Sequence, residues 1–149
     1  MNILNQTTFE FESRSSNEAF ARGAVALFVS QLDPTVGELS DIRTAVSEAV
    51  TNCVVHAYPV SVGKIRINVR ILPENTVMVR ITDKGCGIED IKKAMEPLYT
   101  GAPEQERAGL GFAVMQSFCD AVSVRSAVGK GTTVTLRKKL SPRCGNGNT

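Results

Sequence analysis

The feature that most restricts the fold is a strict alternation of apolar and polar side chains over residues 64–72. Isoleucine or valine occupies every second position from Ile65 to Ile71, and basic or amide side chains lie between them. Successive side chains of a strand point to opposite faces, so this segment predicts a strand with one buried face. Residues 73–75 predict a hairpin turn, and the alternation returns over residues 77–83. This pair of strands needs a covering layer on one side only.

Two segments before these strands have the apolar spacing of helices. Within residues 16–32 the apolar stripe that we expect in the core consists of Phe20, Ala24, Leu27 and Phe28. Ser15 or Ser16 is available as the N-cap of this first helix. Residues 35–38 have the form of a capping box, and an apolar stripe continues from there to about Ala57. The second helix is therefore predicted to be the longer one.

The rest of the chain completes a single domain. Segments 121–127 and 131–140 predict two more strands, joined by a glycine-bearing turn. Residues 89–108 fit no period and predict an irregular functional lid. We expect one domain over residues 1–140 and a disordered tail over residues 141–149. The predicted class is α+β, a two-layer sandwich with helices over one face of a mixed, largely antiparallel sheet.

Composition removes several classes of function. The 149 residues carry a formal net charge of +2, which provides no basic excess for direct binding of nucleic acid through its phosphates. No apolar run is long enough to span a membrane and the first residues lack a secretory signal, which predicts a cytoplasmic location. The four cysteines are widely spaced without a C-x-x-C pair, so we expect neither a zinc site nor structural disulfides.

Glu48 and Asn52 lie four residues apart on the long helix, and His56 extends the same line by one turn. A carboxylate beside an amide oxygen suits magnesium ligation and general-base catalysis. The alternative is an ordinary solvated helix face, since both residue types are common on surfaces. His56 has neither metal-ligand spacing nor a nucleophile partner, so we expect it to have a structural role.

A first glycine motif ends the second strand. Asp83 is followed by Gly85 and Gly87, at a point where the backbone turns or approaches a ligand closely. Its carboxylate could accept a hydrogen bond from an adenine amino group. The alternative is a common strand-ending turn, for which Asp and Gly are the usual residues.

A second glycine motif, Gly109-Leu110-Gly111, precedes an apolar helical run over residues 112–118. Its backbone N–H groups and the start of that helix could hold phosphates, and Arg107 could add a positive charge. The alternative is a helix entry that uses glycine for flexibility, because a lone G-x-G is too short to be specific.

The order of these elements resembles the N, G1 and G2 boxes of the Bergerat-type GHKL ATPases. The segments SEAVTNCVVHAY at 47–58, ITDKGCGI at 81–88 and ERAGLGFAVM at 106–115 are most similar to the anti-sigma F family of sporulating bacteria and its stress-response relatives. The similarity continues through residues 15–39, so it covers nearly the whole chain.

This resemblance implies a role for each motif residue. It implies that Glu48 is the general base for a serine hydroxyl, that Asn52 ligates Mg²⁺, and that Asp83 recognises adenine. Arg107 is expected to stabilise charge during transfer. The remaining contacts expected for ATP or ADP come from Gly85, Gly87, Thr100, Gly109, Leu110 and Gly111. The positions of Glu18 and Arg22 are those that touch protein partners in this family.

The resemblance also implies partners. It predicts a serine kinase that binds a sporulation sigma factor, phosphorylates an anti-anti-sigma protein, and forms a homodimer through sheet surfaces. Three alternatives stay open. One is a nucleotide-dependent binding module without kinase activity, and another is an anti-sigma kinase of the general stress type. The third is the catalytic domain of a histidine kinase, which would need a separate acceptor protein because His56 is the only histidine.

Overall fold

The computed structural model describes residues 1–91 and 103–142, in which three α-helices lie over one face of a five-stranded sheet. The α+β two-layer class is thereby confirmed. The elements in chain order are β1 (Asn5–Glu12), α1 (Asn17–Val29), α2 (Val36–Asn52), β2 (Lys64–Leu72), β3 (Thr76–Asp83), α3 (Pro103–Phe118), β4 (Ala121–Ala127) and β5 (Gly131–Lys139).

The strand order across the sheet is β1-β2-β3-β5-β4. All four pairings between described strands are antiparallel, so the expected mixed character is wrong for this part of the chain. Alternation works as predicted, because the apolar residues of β2 are buried under the helices while Lys64 and Arg66 are exposed on the opposite face. Asp83 ends β3 between Ile65 of β2 and Thr132 of β5.

The first strand is an element that the sequence reasoning missed. β1 pairs with β2 along its whole length, from Asn5 opposite Ile71 to Glu12 opposite Lys64. Only Phe9 and Phe11 mark its inner face, and both are half-buried against the core. Two apolar side chains in an edge strand are a weak periodic signal.

The first helix buries a different stripe from the predicted one. Its buried residues are the small Ala21, Val25, Ala26 and Val29, whereas Phe20 and Leu27 are 53% and 77% exposed. The expectation that Phe20 and Leu27 belong to the core is therefore wrong, although Phe28 does pack partly against the core. Small side chains let α1 lie close to α2, and the Phe20 ring packs edge-on against Phe9 and Phe11 instead.

The start of α1 also differs from the prediction. Ser16 precedes the helix, but its side chain makes no capping hydrogen bond. The turn is held by Asn17, whose side-chain amide donates to the carbonyl of Glu12 at 2.9 Å.

The second helix begins with the predicted capping box. The Glu38 N–H donates to the Thr35 hydroxyl at 3.1 Å, and the Thr35 N–H donates to the Glu38 carboxylate at 2.9 Å. The α-helix ends at Asn52 and continues as a π-helical turn over Cys53–Ala57. The predicted end near Ala57 is thus correct for the helical segment, but its last turn is wider than an α-helix. Such turns occur often at functional sites.

The third helix starts earlier than the sequence suggested. α3 begins at Pro103, so the predicted irregular stretch is helical over residues 103–108. Gly109-Leu110-Gly111 consequently lies inside a helix and does not precede one. The side chains of residues 103–110 are outside the described part of the molecule, as are residues 92–102 of the predicted lid and residues 143–149 of the predicted tail.

Candidate functional site

The last turn of α2 presents Asn52 toward α3. Asn52 is partly buried, and its amide nitrogen has no hydrogen-bond partner among the described residues although it is out of contact with water. A Cβ built on Gly111 of α3 would lie 3.1 Å from the Asn52 amide oxygen and 3.2 Å from its nitrogen. The Asn52 amide and the glycine of the second motif therefore lie against each other. Buried polar groups normally have partners, so this amide has donor capacity that a ligand can use.

Glu48 lies one helical turn before Asn52 and is partly buried. The α2 residues around it that face the core are Ala45, Val46, Ala49 and Val50. They seat the helix on the sheet, which fixes the direction in which Glu48 and Asn52 project. Phe112 and Met115 of α3 are buried in the same core, so they hold Gly111 in place beside α2.

Asp83 lies at the buried end of β3 and is held from both sides. One carboxylate oxygen accepts hydrogen bonds from the N–H of Gly85 at 2.9 Å and the N–H of Thr132 at 3.2 Å. The other accepts from the thiol of Cys53 at 3.5 Å. Three donors therefore fix this side chain in one orientation.

Burial dominates the electrostatics of this carboxylate. It raises the pKa of Asp83 above its ordinary value, although the Gly85 N–H, the Cys53 thiol and the Thr132 N–H each lower it. Burial is the main cause that raises the pKa of Cys53 well above its ordinary value, and the negative charge of Asp83 raises that pKa further. Cys53 thus stays protonated and remains a donor to Asp83. Its thiol links the π-helical turn that follows α2 to the end of β3.

The loop after Asp83 packs on the π-helical turn. The N–H of Cys86 donates to the Ala57 carbonyl at 3.1 Å, and the Cys86 thiol donates to the His56 carbonyl at 3.1 Å. A Cβ on Gly85 would lie 2.3 Å from that same Ala57 oxygen, which is closer than real Cβ contacts. Only glycine allows this approach, so the first glycine motif and the end of α2 form one unit.

Gly87 serves a different contact. It has a φ of +80°, and a Cβ there would lie 2.3 Å from the carbonyl oxygen of Ala127. The Gly129 N–H donates to the Cys86 carbonyl at 2.8 Å in the same region. Gly87 therefore packs the loop against the β4–β5 turn. The positive φ and the close contact with Ala127 are sufficient to explain why this residue is glycine, and no ligand contact is needed.

Tyr58 is a positioning residue that the sequence reasoning missed. Its hydroxyl donates to the Lys64 carbonyl at 2.9 Å and accepts from the Lys84 N–H at 2.7 Å. Its ring lies where a side chain at Gly63 would be, with the nearest ring carbon 2.2 Å from a Cβ there. Tyr58 thereby joins the start of β2 to the loop after Asp83. The available signal was one tyrosine directly after the His-Ala pair, followed by a glycine before β2.

Glu18 and Arg22 lie on α1, next to this end of α2. Their ion pair measures 3.1 Å, and both side chains are about one-third exposed, at 32% and 36%. The second oxygen of Glu18 accepts a hydrogen bond from the Thr51 hydroxyl at 2.8 Å. A single carboxylate thus connects Arg22 to the residue that precedes Asn52.

The predicted site residues separate into three groups. The structure brings together Asn52, Asp83, Gly85 and Gly111, with Glu48 one turn from Asn52. It places Gly87 toward the β4–β5 turn, and Arg107, Gly109 and Leu110 on α3 without describing their side chains. Thr100 lies outside the described residues.

Two properties of the described residues bear on metal and membrane binding. No group of three or more His, Cys, Asp or Glu side chains in residues 1–91 and 103–142 has the arrangement of a metal site. A single-amide contribution from Asn52 fits Mg²⁺, which commonly takes one or two protein ligands and completes its shell with phosphate oxygens and water. None of the described helices combines the length and apolar character required to cross a membrane.

Comparison with known proteins points in the same direction. Residues 11–138 match the family model of the histidine kinase-like ATPase domain. The chain is 52% identical over 140 residues to an anti-sigma F factor of Caldanaerobacter subterraneus subsp. tengcongensis, covering 94% of this chain and 97% of that relative. It is 54% identical over 138 residues to an anti-sigma F factor of Clostridium botulinum, covering 92% and 96%.

Solved structures share the fold at low sequence identity. The RsbU and RsbW domains of a Mycobacterium tuberculosis protein superpose with a TM-score of 0.69 at 19% identity, over 93% of this chain and 32% of that one. The mycobacterial sensor histidine kinase MprB superposes with a TM-score of 0.57 at 16% identity, over 92% of this chain and 100% of that one. These two likenesses concern the fold alone.

Proposed function

Because the chain belongs to the histidine kinase-like ATPase family, and within it to the anti-sigma F factors, we propose that it is an ATP-dependent serine kinase that binds a sigma factor. The observation that carries this proposal is the meeting of three motifs at one place. Asn52 lies against Gly111, and the Asp83 loop lies against the end of the same helix. The location that goes with this function is the cytoplasm.

The two ends of the site suit the two ends of ATP. Asp83 is buried and fixed, and its carboxylate accepts a hydrogen bond from the adenine amino group in our proposal. The Asn52 amide nitrogen has no partner within the described residues, and the amide lies beside Gly111, where a bulky side chain would intrude. The unpaired amide N–H suits a phosphate oxygen, and in our proposal the Asn52 amide oxygen is the protein atom that would hold Mg²⁺ on this side. The cation supplies charge neutralisation for the transferring phosphoryl group.

The chain's own residues then carry out the transfer. Glu48 accepts the proton of the substrate serine hydroxyl as the serine oxygen bonds to the γ-phosphorus and ADP leaves. Arg107 and the backbone of Gly109, Leu110 and Gly111 stabilise the negative charge, with Thr100 as a further nucleotide contact from the lid. Because these three residues lie inside α3, phosphate contacts through their N–H groups require the N-terminal part of that helix to rearrange.

The substrate in this proposal is an anti-anti-sigma protein. A phosphoserine adds about −1.5 to −2 charges at the contact, which is enough to release such a partner and free the kinase for its sigma factor. Glu18 and Arg22 form part of the partner surface. The exposed Phe20 and Leu27 lie on the same helix and support this assignment, since large exposed apolar side chains are typical of protein interfaces.

A homodimer is also part of the proposal. The sheet face opposite the helices carries mostly polar side chains around Arg80, with Met78 as an apolar exception, and we place the contact between copies there. Sedimentation equilibrium on the purified chain tests this point. A mass of one chain at micromolar concentration would contradict it.

The kinase is tested with purified protein, Mg²⁺, ATP and a purified anti-anti-sigma protein. Glu48→Gln removes the proposed base at constant shape, so we expect transfer to fall by roughly 10²–10⁴-fold while nucleotide affinity changes little. Phosphoserine on the partner is read by intact mass. Glu74→Gln, in the exposed β2–β3 turn, is the matched control and should transfer phosphate normally.

Two outcomes would redirect the proposal. ATP binding without transfer by the unmodified protein would identify a nucleotide-dependent binding module. Transfer that Glu48→Gln leaves unchanged would contradict the role of Glu48. Comparing sporulation and general-stress sigma factors in a pull-down with ATP or ADP identifies the bound partner.

A further inference from the structure

The outer face of the sheet, opposite the helices, contains a concavity of about 550 Å³. Four arginines line it, namely Arg66, Arg70, Arg80 and Arg125. The other lining residues are Gln6, Thr8, Asn68, Thr82, Thr133 and Thr135. None of the described residues that line it is acidic, apolar or aromatic. We refer to this surface as the arginine face.

The strand register explains why the arginines surround one point. Arg80 on β3 lies opposite Asn68 on β2, so Arg66 and Arg70 are its two diagonal neighbours. Diagonal neighbours on one face are about 7–8 Å apart, within reach of long side chains. Arg125 on β4 occupies the same cross-strand row as Arg66, with two threonines between them. The four cations thus enclose a patch of hydroxyl and amide groups.

These charges are not neutralised by the described chain. None of the four arginines forms an ion pair with any residue in 1–91 or 103–142. The closest acidic position by register is Glu10, opposite Arg66, and it makes no such pair. The Arg70 Nε is buried and has no hydrogen-bond partner in that part of the chain. A buried guanidinium nitrogen without an acceptor is unfavourable, so the face is built to receive one.

We propose that the arginine face is a binding site for a compact polyvalent phosphate anion, separate from the nucleotide site. The guanidinium group donates in a planar fork that matches phosphate oxygens, and threonine hydroxyls and amides add further donors. The volume lies in the range of small-molecule sites. Single-stranded nucleic acid is disfavoured because the lining has no aromatic side chain for base stacking. A peptide segment that binds through apolar anchors is disfavoured because the lining has no apolar side chain.

A homodimer through this sheet face would strengthen the need for an anion. Two copies facing each other would bring their arginine clusters together, and like charges across an interface repel. An anion between them would offset that repulsion. The proposal therefore holds for one chain and for a pair, and it does not depend on kinase activity.

The test uses inorganic tripolyphosphate and isothermal titration calorimetry at low salt. The protein carries Asn52→Ala and Mg²⁺ is omitted, so that the proposed phosphate side of the nucleotide site does not contribute. We expect saturable binding that Arg80→Gln weakens by at least about tenfold, the effect of removing one or more charge-assisted hydrogen bonds. Arg125→Gln is a second variant with the same expected direction. Arg43→Gln, an exposed arginine on α2 in the opposite layer, should bind as the parent does.

Each other outcome overturns the proposal. Equal affinity of the parent and Arg80→Gln, or no binding at all, excludes an anion site on this face. Tighter binding of a hexaglutamate peptide than of tripolyphosphate points to an acidic protein segment. A change in sedimentation mass with Arg80→Gln, without any anion binding, points to a second copy of the chain. Thermal melting of each variant confirms that it is folded.

Discussion

The two ends of the candidate nucleotide site differ in how completely their polar groups are satisfied. On the Asp83 side, the carboxylate accepts from two backbone N–H groups and one thiol. On the Asn52 side, the amide nitrogen is buried without a partner among the described residues. The first side is organised by the protein itself, whereas the second retains hydrogen-bonding capacity for something else.

The glycines of the two sides differ in the same way. Gly85 faces the backbone carbonyl of Ala57, which belongs to the π-helical turn and accepts the N–H of Cys86, so it cannot move away without breaking that contact. Gly111 faces the side chain of Asn52, which can rotate. Base recognition needs a rigid site, while phosphate and cation chemistry needs groups that adjust as charge moves. We therefore expect substitutions at Gly85 and at Gly111 to differ in how much stability they remove and in whether they impair nucleotide binding or phosphotransfer.

The largest effect is expected from Gly85→Ala. Its Cβ would lie 2.3 Å from the Ala57 oxygen, so the loop that follows Asp83 must shift. We expect a loss of about 1–3 kcal/mol in the free energy of unfolding, the usual range for overpacking, together with loss of measurable nucleotide binding. Urea denaturation and equilibrium binding of a fluorescent ATP analogue measure both.

Gly23→Ala is the control for that experiment. A Cβ at Gly23 has nothing within 4 Å, and the residue lies inside α1. Alanine in a helix interior is favoured over glycine by roughly 0.5–1 kcal/mol, so this variant should be slightly more stable and bind nucleotide normally. Similar stability of both alanine variants would contradict the rigid-contact argument at Gly85.

Asp83→Asn should separate stability from recognition. Asparagine keeps an oxygen to accept from Gly85 and Thr132 but has no negative charge for the adenine amino group. Nucleotide affinity should fall by about 10–100-fold, corresponding to loss of a charged hydrogen bond, while the protein stays folded. Equilibrium binding of the ATP analogue provides the check, and unchanged affinity would remove Asp83 from adenine recognition.

The same variant tests the electrostatics. Burial raises the folded-state pKa of Asp83 above the ordinary value of 3.8. The stability that the protonated form contributes is therefore complete below 3.8 and is lost as the pH rises through the raised folded-state value. Wild type should lose this stability over that window, and Asp83→Asn should not. Urea denaturation at several pH values compares them, and parallel curves would contradict the raised pKa.

The Asn52 side is probed by Gly111→Ala, with a smaller expected effect. The new Cβ would lie 3.1–3.2 Å from the Asn52 amide, which can move by a few tenths of an ångström. Alanine also favours the helix, so the free energy of unfolding should change by less than about 1 kcal/mol. Phosphotransfer should nevertheless fall several-fold, because Asn52 is displaced. A single-turnover assay measures this, and a stability loss equal to that of Gly85→Ala would remove the distinction between the two sides.

The sequence predicted an element of the fold correctly where its residue pattern is typical of a single kind of structure. The alternation over residues 64–72 gave β2 correctly, and the capping box gave the start of α2. The sequence-based prediction failed where tertiary contacts decide which face of a helix is buried. Phe20 and Leu27 fit a core stripe by spacing, yet the core accepts only the smaller residues of α1, because close helix packing excludes large side chains.

The candidate site was predictable in its motif residues but not in its supporting contacts. Asn52 and Gly111 are far apart in the chain, and only the order of the motifs indicated that they meet. The Cys53 thiol on Asp83 and the Tyr58 hydroxyl on the following loop depend on where α2 widens into a π-helical turn. No propensity or period in this segment distinguishes that turn from a continued α-helix, so these contacts could not be read from the sequence.

The smallest effect on nucleotide binding should come from Thr51→Val. This residue lies next to Asn52 but contacts α1, so it tests the difference between the Asn52 and Asp83 sides without altering either. The Thr51 hydroxyl donates to Glu18, which also pairs with Arg22, so it ties the Asn52 side to the partner surface. Valine keeps the shape and removes the hydrogen bond, so nucleotide affinity should change less than about threefold. The influence of ATP on partner affinity should fall instead, because the connection between the two surfaces is lost.

Thr44→Val removes a hydroxyl that bonds within α2 only and is the matched control. Partner affinity measured with ATP and with ADP should respond to Thr51→Val alone, and an equal response of both variants would show that Thr51 carries no coupling. On this account, the Asp83 side is self-contained, and the Asn52 side is the one through which a bound partner is sensed.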